Sequence, residues 1–142
     1  MKPKFLKRNF FQRILGIPAT LQPTDSDSWQ YDGTKIVLNL DKAPELEKPG
    51  GAIRLEGGEL PIRVLVMRDE NGKVHAFENR CTHSGHRRLD PVTGTDTVQC
   101  CSVGKSTYDY SGNRIYGPAP GNIATLPTEL HDRQLVIKIE KQ

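Results

Sequence analysis

The sequence contains no run of about eighteen apolar residues, the length a helix needs to cross a bilayer, so no transmembrane helix is expected. Cysteine is scarce: three residues, at positions 81, 100 and 101, two of them adjacent, cannot form a closed disulfide set and read as ligands instead. Neither sign of charge dominates. Lys and Arg number 20 against 17 Asp and Glu, leaving a net +3 too weak and too dispersed for the clustered phosphate contacts that nucleic-acid binding requires. Internal repeats and low-complexity tracts are lacking as well. What is present is 13 glycines, 10 prolines and 35% hydrophobic residues in a chain of 142. That is the composition of one turn-rich domain, large enough to bury a core without disulfides.

At the N-terminus Lys2, Lys4, Lys7, Arg8 and Arg13 surround Phe5, Leu6, Phe10, Phe11, Ile14 and Leu15. This pattern predicts a basic amphipathic helix within residues 1–18, stopped near Gly16 and Pro18 and docked on the domain or on a partner. Lys7-Arg8-Asn9-Phe10-Phe11 also looks like a weakened twin-arginine export signal. The apolar run that follows, Ile14-Leu15-Gly16-Ile17 before Pro18, is short of the roughly seven to fifteen residues a signal needs. A cytoplasmic location is therefore expected, with the periplasmic side as the alternative should the motif act as a signal. Residues 19–34 carry Pro23, Thr24, Asp25, Ser26, Asp27, Ser28 and Gly33 and read as an ordered linker, with Trp29 as its packing anchor.

From Lys35 the pattern is β. Lys35 to Leu40, Ile62 to Arg68, Lys73 to Glu78, Thr97 to Cys100, Asn113 to Tyr116 and Leu135 to Glu140 are short, rich in branched or aromatic residues and bounded by turn formers. Asn71-Gly72 predicts a type I′ hairpin turn, and Ser111-Gly112-Asn113 a similar one after Tyr110. Pro44, Pro49, Gly50 and Gly51 break the chain after the first strand, with room for one helical turn over Glu45 to Lys48.

The chemistry concentrates in two places. Cys81-Thr82-His83-Ser84-Gly85-His86 follows a strand and lies on a loop, and Cys100-Cys101 ends another strand. Thiolate and imidazole are the donors that hold iron–sulfur clusters and zinc, and a C-x-H pair followed about eighteen residues on by another cysteine is uncommon by chance. His75 in a strand and His131 in a turn read as packing or surface residues.

Several segments together resemble the Rieske proteins, from about Lys35 to Glu140. Pro44-Glu45-Leu46 with Pro49-Gly50-Gly51 resembles that family's first connection, and Asn79-Arg80-Cys81-Thr82-His83-Ser84-Gly85 its first cluster loop. Ser106-Thr107-Tyr108-Asp109-Tyr110-Ser111-Gly112 resembles the strand leaving the second loop, and Gly117-Pro118-Ala119-Pro120 the proline loop that shields the cluster. The resemblance implies an all-β fold: an antiparallel sheet sandwich with a cluster-binding subdomain of two loops, over residues 35–142, the cluster-binding part at about 79–121. It implies a [2Fe–2S] cluster held by Cys81, His83 and Cys101, with the hydroxyls of Ser106 and Tyr108 donating to sulfur and Pro118 shielding the site. The family's second loop reads C-x-x-H, and here the histidine position falls on Gly104, or on Val103 if the register starts at Cys100. Cys100 is then the nearest soft donor for the fourth ligand, His86 the second candidate, and Lys105, Ser102 or water poorer ones. The positions of the loop-to-loop disulfide found in some members are His86 and Val103, so no such bridge forms.

A thiolate in place of imidazole adds negative charge, which lowers the reduction potential, and removes one titrating imidazole, which weakens redox-linked proton uptake. The function implied is one-electron transfer, as a ferredoxin-like protein or the small subunit of an oxidoreductase, with a redox partner protein and docking through the N-terminal helix. Two alternatives stay open. One is a zinc or mononuclear-iron site from Cys81, His83, Cys101 and either His86 or Cys100; the other is an interaction module that kept the fold without the metal.

Overall fold

The computed structural model describes residues 5–6, 8–15, 19–82, 88–92, 94–101 and 104–139. It contains one α-helix, α1 (Phe10–Leu15), and eleven strands: β1 (Trp29–Tyr31), β2 (Lys35–Asn39), β3 (Ala52–Leu55), β4 (Val64–Arg68), β5 (Val74–Glu78), β6 (Leu89–Val92), β7 (Thr97–Cys100), β8 (Thr107–Asp109), β9 (Arg114–Tyr116), β10 (Thr128–His131) and β11 (Gln134–Lys138). They make three antiparallel sheets, ordered β1-β2-β11-β10, β3-β4-β5 and β6-β7-β8-β9. Strands are found at all six stretches expected from sequence, shifted by a residue or two at their ends. The helical turn expected over Glu45 to Lys48 is a 3-10 turn at Pro44–Leu46.

The middle sheet is buried on both sides, and this organises the molecule. On β4, Val64 and Val66 join Ile36, Leu38, Ile53, Leu55, Leu135 and Ile137 in one core against the first sheet. Their alternates Leu65 and Met67 point the other way, into a second core with Phe77, Leu89, Val98 and Tyr108. A strand buried on both faces must be apolar at successive positions rather than alternating, and Val64-Leu65-Val66-Met67 is. The second core is the floor on which the third sheet and its loops rest.

The two hairpin turns form where expected but by another device. Only Gly72 and Gly112 take positive φ, at 86° and 88°, so neither turn is type I′, which needs two such residues. Each is instead opened by an aspartate. Gly72 N donates to Asp69 O and Gly112 N to Asp109 O. Asp69 Oδ1 accepts from Asn71 N and Lys73 N, both at 2.9 Å, while Asp109 Oδ1 accepts from Ser111 N at 3.0 Å and Asn113 N at 2.9 Å. Aspartate three residues before glycine is the sequence signal in both, an Asx turn leading into a left-handed glycine.

Asp69 has a further partner, His75 Nε2 at 2.8 Å from its Oδ2, and the His75 ring packs at a tilt against Tyr110, 4.6 Å between centroids. His75 first, then the Lys73 and Asn71 amides, hold the Asp69 carboxyl below its ordinary value against the opposing effect of burial. Replacing Asp69 by Ala is expected to cost about 1–3 kcal/mol at neutral pH, measured by urea denaturation, because three donors lose one acceptor group. A folded-state value below the unfolded one of about 3.9 means that this contribution is complete at neutral pH and disappears as pH falls through the lowered value. The wild type should therefore lose its advantage over Asp69→Ala in acid; a constant difference from pH 7 to pH 2 would show that the carboxylate is not its source.

Candidate metal centre

Three loops come together over the second core. The first runs from β5 to β6, the second from β7 to β8, and the third follows β9 through Gly117-Pro118-Ala119-Pro120. The ends of the first loop are closed by Asn79, whose Oδ1 accepts from Leu89 N at 2.6 Å, while Cys101 N donates to Arg88 O at 3.0 Å and joins the second loop to the first. Thr82 Oγ1 donates to Gly121 O at 2.8 Å, tying the first loop to the third. Ser106 Oγ accepts from Ala119 N at 3.1 Å, tying the second to the third. A Cβ on Gly117 would lie 2.5 Å from Ser106 Cα, so only glycine permits this crossing.

Tyr108, fully buried on β8, reaches up from the core to the first loop. Its hydroxyl lies 3.1 Å from Thr82 Oγ1 and 3.7 Å from Cys81 Sγ, and accepts from Thr82 N at 3.4 Å. Thr82 gives its own proton to Gly121, so the single Tyr108 O–H points to the nearer Thr82 oxygen, with the Cys81 sulfur as its alternative acceptor. Burial, and the neighbouring Cys81, push Tyr108 up to about 12, which keeps it protonated as a donor. Ser106 accepts one bond and so has its own proton to give.

All three cysteines are buried. Cys81 and Cys100 lie in the second core with Tyr108, Cys100 on the same face of β7 as Val98. Burial lowers Arg13 and Arg63 and hydrogen bonding to Glu56 raises Arg88; Cys101 is the last and smallest raising influence on Arg63 and Arg88, while Arg13 is raised by Cys100 first and then by Cys101. Arg88 is fixed by a forked pair with Glu56, at 2.9 and 3.0 Å, and Glu56 also takes Arg54.

His83 and His86 lie outside the described residues, as do Ser102 and Val103. Among the described residues no three His, Cys, Asp or Glu side chains gather around one point suited to a metal ion. Gly104, where the resemblance places a histidine, has no room for one: a Cβ there would lie 2.9 Å from Pro118 Cγ and 3.2 Å from its Cδ. The sequence reading gave no role to Asn79, Thr82 or the Arg63–Arg88 pair. Asn79 is fully buried, and its Nδ2 has no hydrogen-bond partner, leaving a donor under the first loop. An Asx residue directly after a strand and two before Cys81 was the available signal.

Comparison with known proteins agrees with this geometry. The family model of the Rieske [2Fe–2S] domain matches residues 19–127, and the chain belongs to that family. The family's cofactor is a [2Fe–2S] cluster. The alpha subunit of chlorobenzene dioxygenase from Cupriavidus sp. (strain PS12) is 31% identical over 99 residues, which are 67% of this chain and 22% of that protein. The chain thus spans about a fifth of the length of that curated relative. Among solved structures, the ferredoxin of carbazole 1,9a-dioxygenase from Nocardioides aromaticivorans IC177 superposes with a TM-score of 0.59 at 19% identity, over 73% of this chain and 95% of that one. A chain from the complex of reduced oxygenase and oxidized ferredoxin in carbazole 1,9a-dioxygenase gives 0.56 at 16% identity, over 70% and 90%. Both show the same fold.

The described donors fit the sulfur side of such a cluster in kind: buried cysteines at the ends of two adjacent loops, one of them within reach of a tyrosine hydroxyl. The close approach of Gly104 to Pro118 is testable without any metal. Gly104→Ala should destabilise the domain by about 1–3 kcal/mol through overpacking, and the loss should shrink in a Pro118→Ala background, where Cγ and Cδ are gone. Additive losses in denaturant titrations of the four proteins would show that this contact is not the cause.

Proposed function

We propose that the chain is a one-electron transfer module whose cluster is held by Cys81, His83, Cys101 and, in the place of the missing second histidine, Cys100. The observation that carries this reading is the convergence of the three loops on a buried thiol that faces a protonated tyrosine, with Cys81 Sγ 3.7 Å from Tyr108 O. Cys100 shares the core of Cys81 and Tyr108, which supports it as the additional sulfur donor. When bound, a [2Fe–2S] cluster accepts and returns a single electron. The work of the chain is to hold and tune that group. Ser106, and Tyr108 when its proton turns from Thr82 to Cys81, offer O–H donors to sulfur, which favours the more negative, reduced state, and the proline loop that carries Pro118 shields the third side.

Residues 79–121 are read as the cluster-binding part of a domain over 35–142, with the N-terminal residues as an arm laid on it. The carbazole dioxygenase structure pairs a ferredoxin with an oxygenase. By the same chemistry the partner of this chain is a redox protein, either a separate oxygenase or reductase or further parts of a larger oxidoreductase. No helix among the described residues is long and apolar enough to cross a membrane. This reading keeps the cytoplasmic location expected from the sequence, with the periplasmic side as the alternative should Lys7-Arg8-Asn9-Phe10-Phe11 act as an export signal.

Anaerobically purified protein should contain about two irons and two acid-labile sulfides per chain and give an electron paramagnetic resonance signal on dithionite reduction. Cys81→Ser and Cys101→Ser should abolish both while leaving the circular dichroism of the sheets unchanged. Cys100→Ser should keep the fold and lose or shift the signal; an unchanged spectrum would remove Cys100 from the set. One equivalent of zinc without labile sulfide would replace this reading by a mononuclear site.

The pH dependence of the potential separates one imidazole from two. With His83 as the single imidazole ligand, the potential should fall with rising pH along one titration step, less steeply than where two imidazoles lose protons. Two resolved steps in a potentiometric pH series would return a second histidine, His86, to the site.

A further inference from the structure

The helix α1 is built to stand in one place, and it stands inside out. Asn9 Oδ1 accepts from Gln12 N at 2.8 Å and Gln12 Oε1 accepts from Asn9 N at 3.0 Å, a reciprocal capping box that fixes the first turn locally. The helix is then fastened through its cation. Arg13 is only 4% exposed, and its Nη2 donates to Leu6 O at 2.7 Å and to Gln99 Oε1, on β7, at 3.3 Å. Leu6 N donates to the same Gln99 oxygen at 3.2 Å, and Ala19 N and Thr20 N both donate to Asp90 at 2.8 Å, so the chain is tied to the β6–β7 ribbon before and after the helix.

The residues turned outward are the apolar ones. Phe10 is 62% exposed, Phe11 74% and Leu15 65%, and Leu21 just beyond is 70% exposed. A surface helix in water does the reverse, with its apolar stripe inward and its charges out. The surrounding sequence adds a charge bias: Lys2, Lys4, Lys7, Arg8 and Arg13 are basic, and no acidic residue occurs before Asp25.

We propose that this face is a docking surface for an anionic lipid bilayer, on which Phe10, Phe11 and Leu15 enter the interface, the basic bias of the surrounding sequence selecting anionic headgroups. A helix of six residues offers only a few large side chains, and little shape, for a protein partner to match. A fluid surface imposes no shape to match, and aromatic side chains with basic flanks are what its interface selects. The attachment lies in the plane of the membrane, is reversible, and weakens with salt. The same arm is joined to the second loop, since Phe5 packs on Tyr116 at 5.1 Å between ring centres and lies under Lys105 Nζ at 4.9 Å. The proposal does not depend on the cluster, so its failure and that of the electron-transfer reading are separate results.

Cosedimentation of the full chain with vesicles tests it. Wild-type protein should pellet with phosphatidylcholine vesicles containing a third phosphatidylglycerol, should release at high salt, and should stay in solution with pure phosphatidylcholine. The Phe10→Ser, Phe11→Ser double variant should lose most of the binding with an unchanged thermal midpoint, and neutralising Lys4 and Lys7 to Gln should weaken it roughly fivefold per charge. Leu15→Gln, a single exposed change, serves if the double variant fails to fold. Absence of binding to the anionic vesicles, or equal binding by the variants, overturns the proposal. So does a wild-type dimer in size-exclusion chromatography that the Phe variants convert to monomer, which would make the face an interface between two copies.

Discussion

The hydroxyl of Tyr108 is the hinge of the molecule's chemistry. It belongs at once to the second core, where the ring is wholly enclosed, and to the first loop, where the oxygen meets Thr82 and Cys81. Because Thr82 passes its own proton to Gly121, a single chain of hydrogen bonds runs from β8 through the first loop to the third. Loops of this kind carry few apolar contacts of their own and rely on a rigid sheet for precision. Here the rigidity comes from β4, whose alternate residues lie in both cores, so that the loops are seated on an element that cannot tilt without disturbing the other half of the domain.

Much of this was legible in the order of residues, and the reasons differ from element to element. β4 is legible as a short apolar run and β7 as a β-branched alternation, each bounded by turn formers. β1, β3, β6, β8 and β10 did not appear among the strands read from pattern. Trp29-Gln30-Tyr31 sat in a polar context that reads as linker, and Leu89-Asp90-Pro91-Val92 contains a proline and a buried aspartate that argue against a strand. Asp90 is explained only by the N-terminal segment, whose amides at Ala19 and Thr20 it accepts across 71 and 70 residues of sequence separation. No local pattern carries such a contact. The Asx turns were misread as type I′ for a related reason: Asn71-Gly72 is the stronger dipeptide signal, but the aspartate two residues earlier wins because its carboxylate satisfies two backbone donors.

For the site, the motif-bearing residues were legible and their supports were not. Cys81, Cys100, Cys101, Ser106, Tyr108 and Pro118 could be named from spacing and resemblance. The arginines near Cys101 could not, since Arg13, Arg63 and Arg88 come from three separated segments and are brought together only by the fold.

The departure at the second loop is matched by its surroundings. Once Gly104 carries no side chain, the Pro118 ring closes on it, and the space an imidazole would need is gone. The next residue pays a conformational cost, since Lys105 sits at φ 55°, where a side chain with a Cβ loses about 1–2 kcal/mol. That strain is held from two sides. Thr107 Oγ1 donates to Lys105 O at 2.9 Å, and the Lys105 ammonium rests on the ring of Phe5. Phe5 in turn is anchored on Tyr116 and continues into the segment that Gln99 and Arg13 bind. The altered loop and the N-terminal arm are therefore one structural unit. The arm supplies the cover that keeps Gly104-Lys105 in a single conformation, and the same fastening that buries Arg13 turns Phe10 and Phe11 outward.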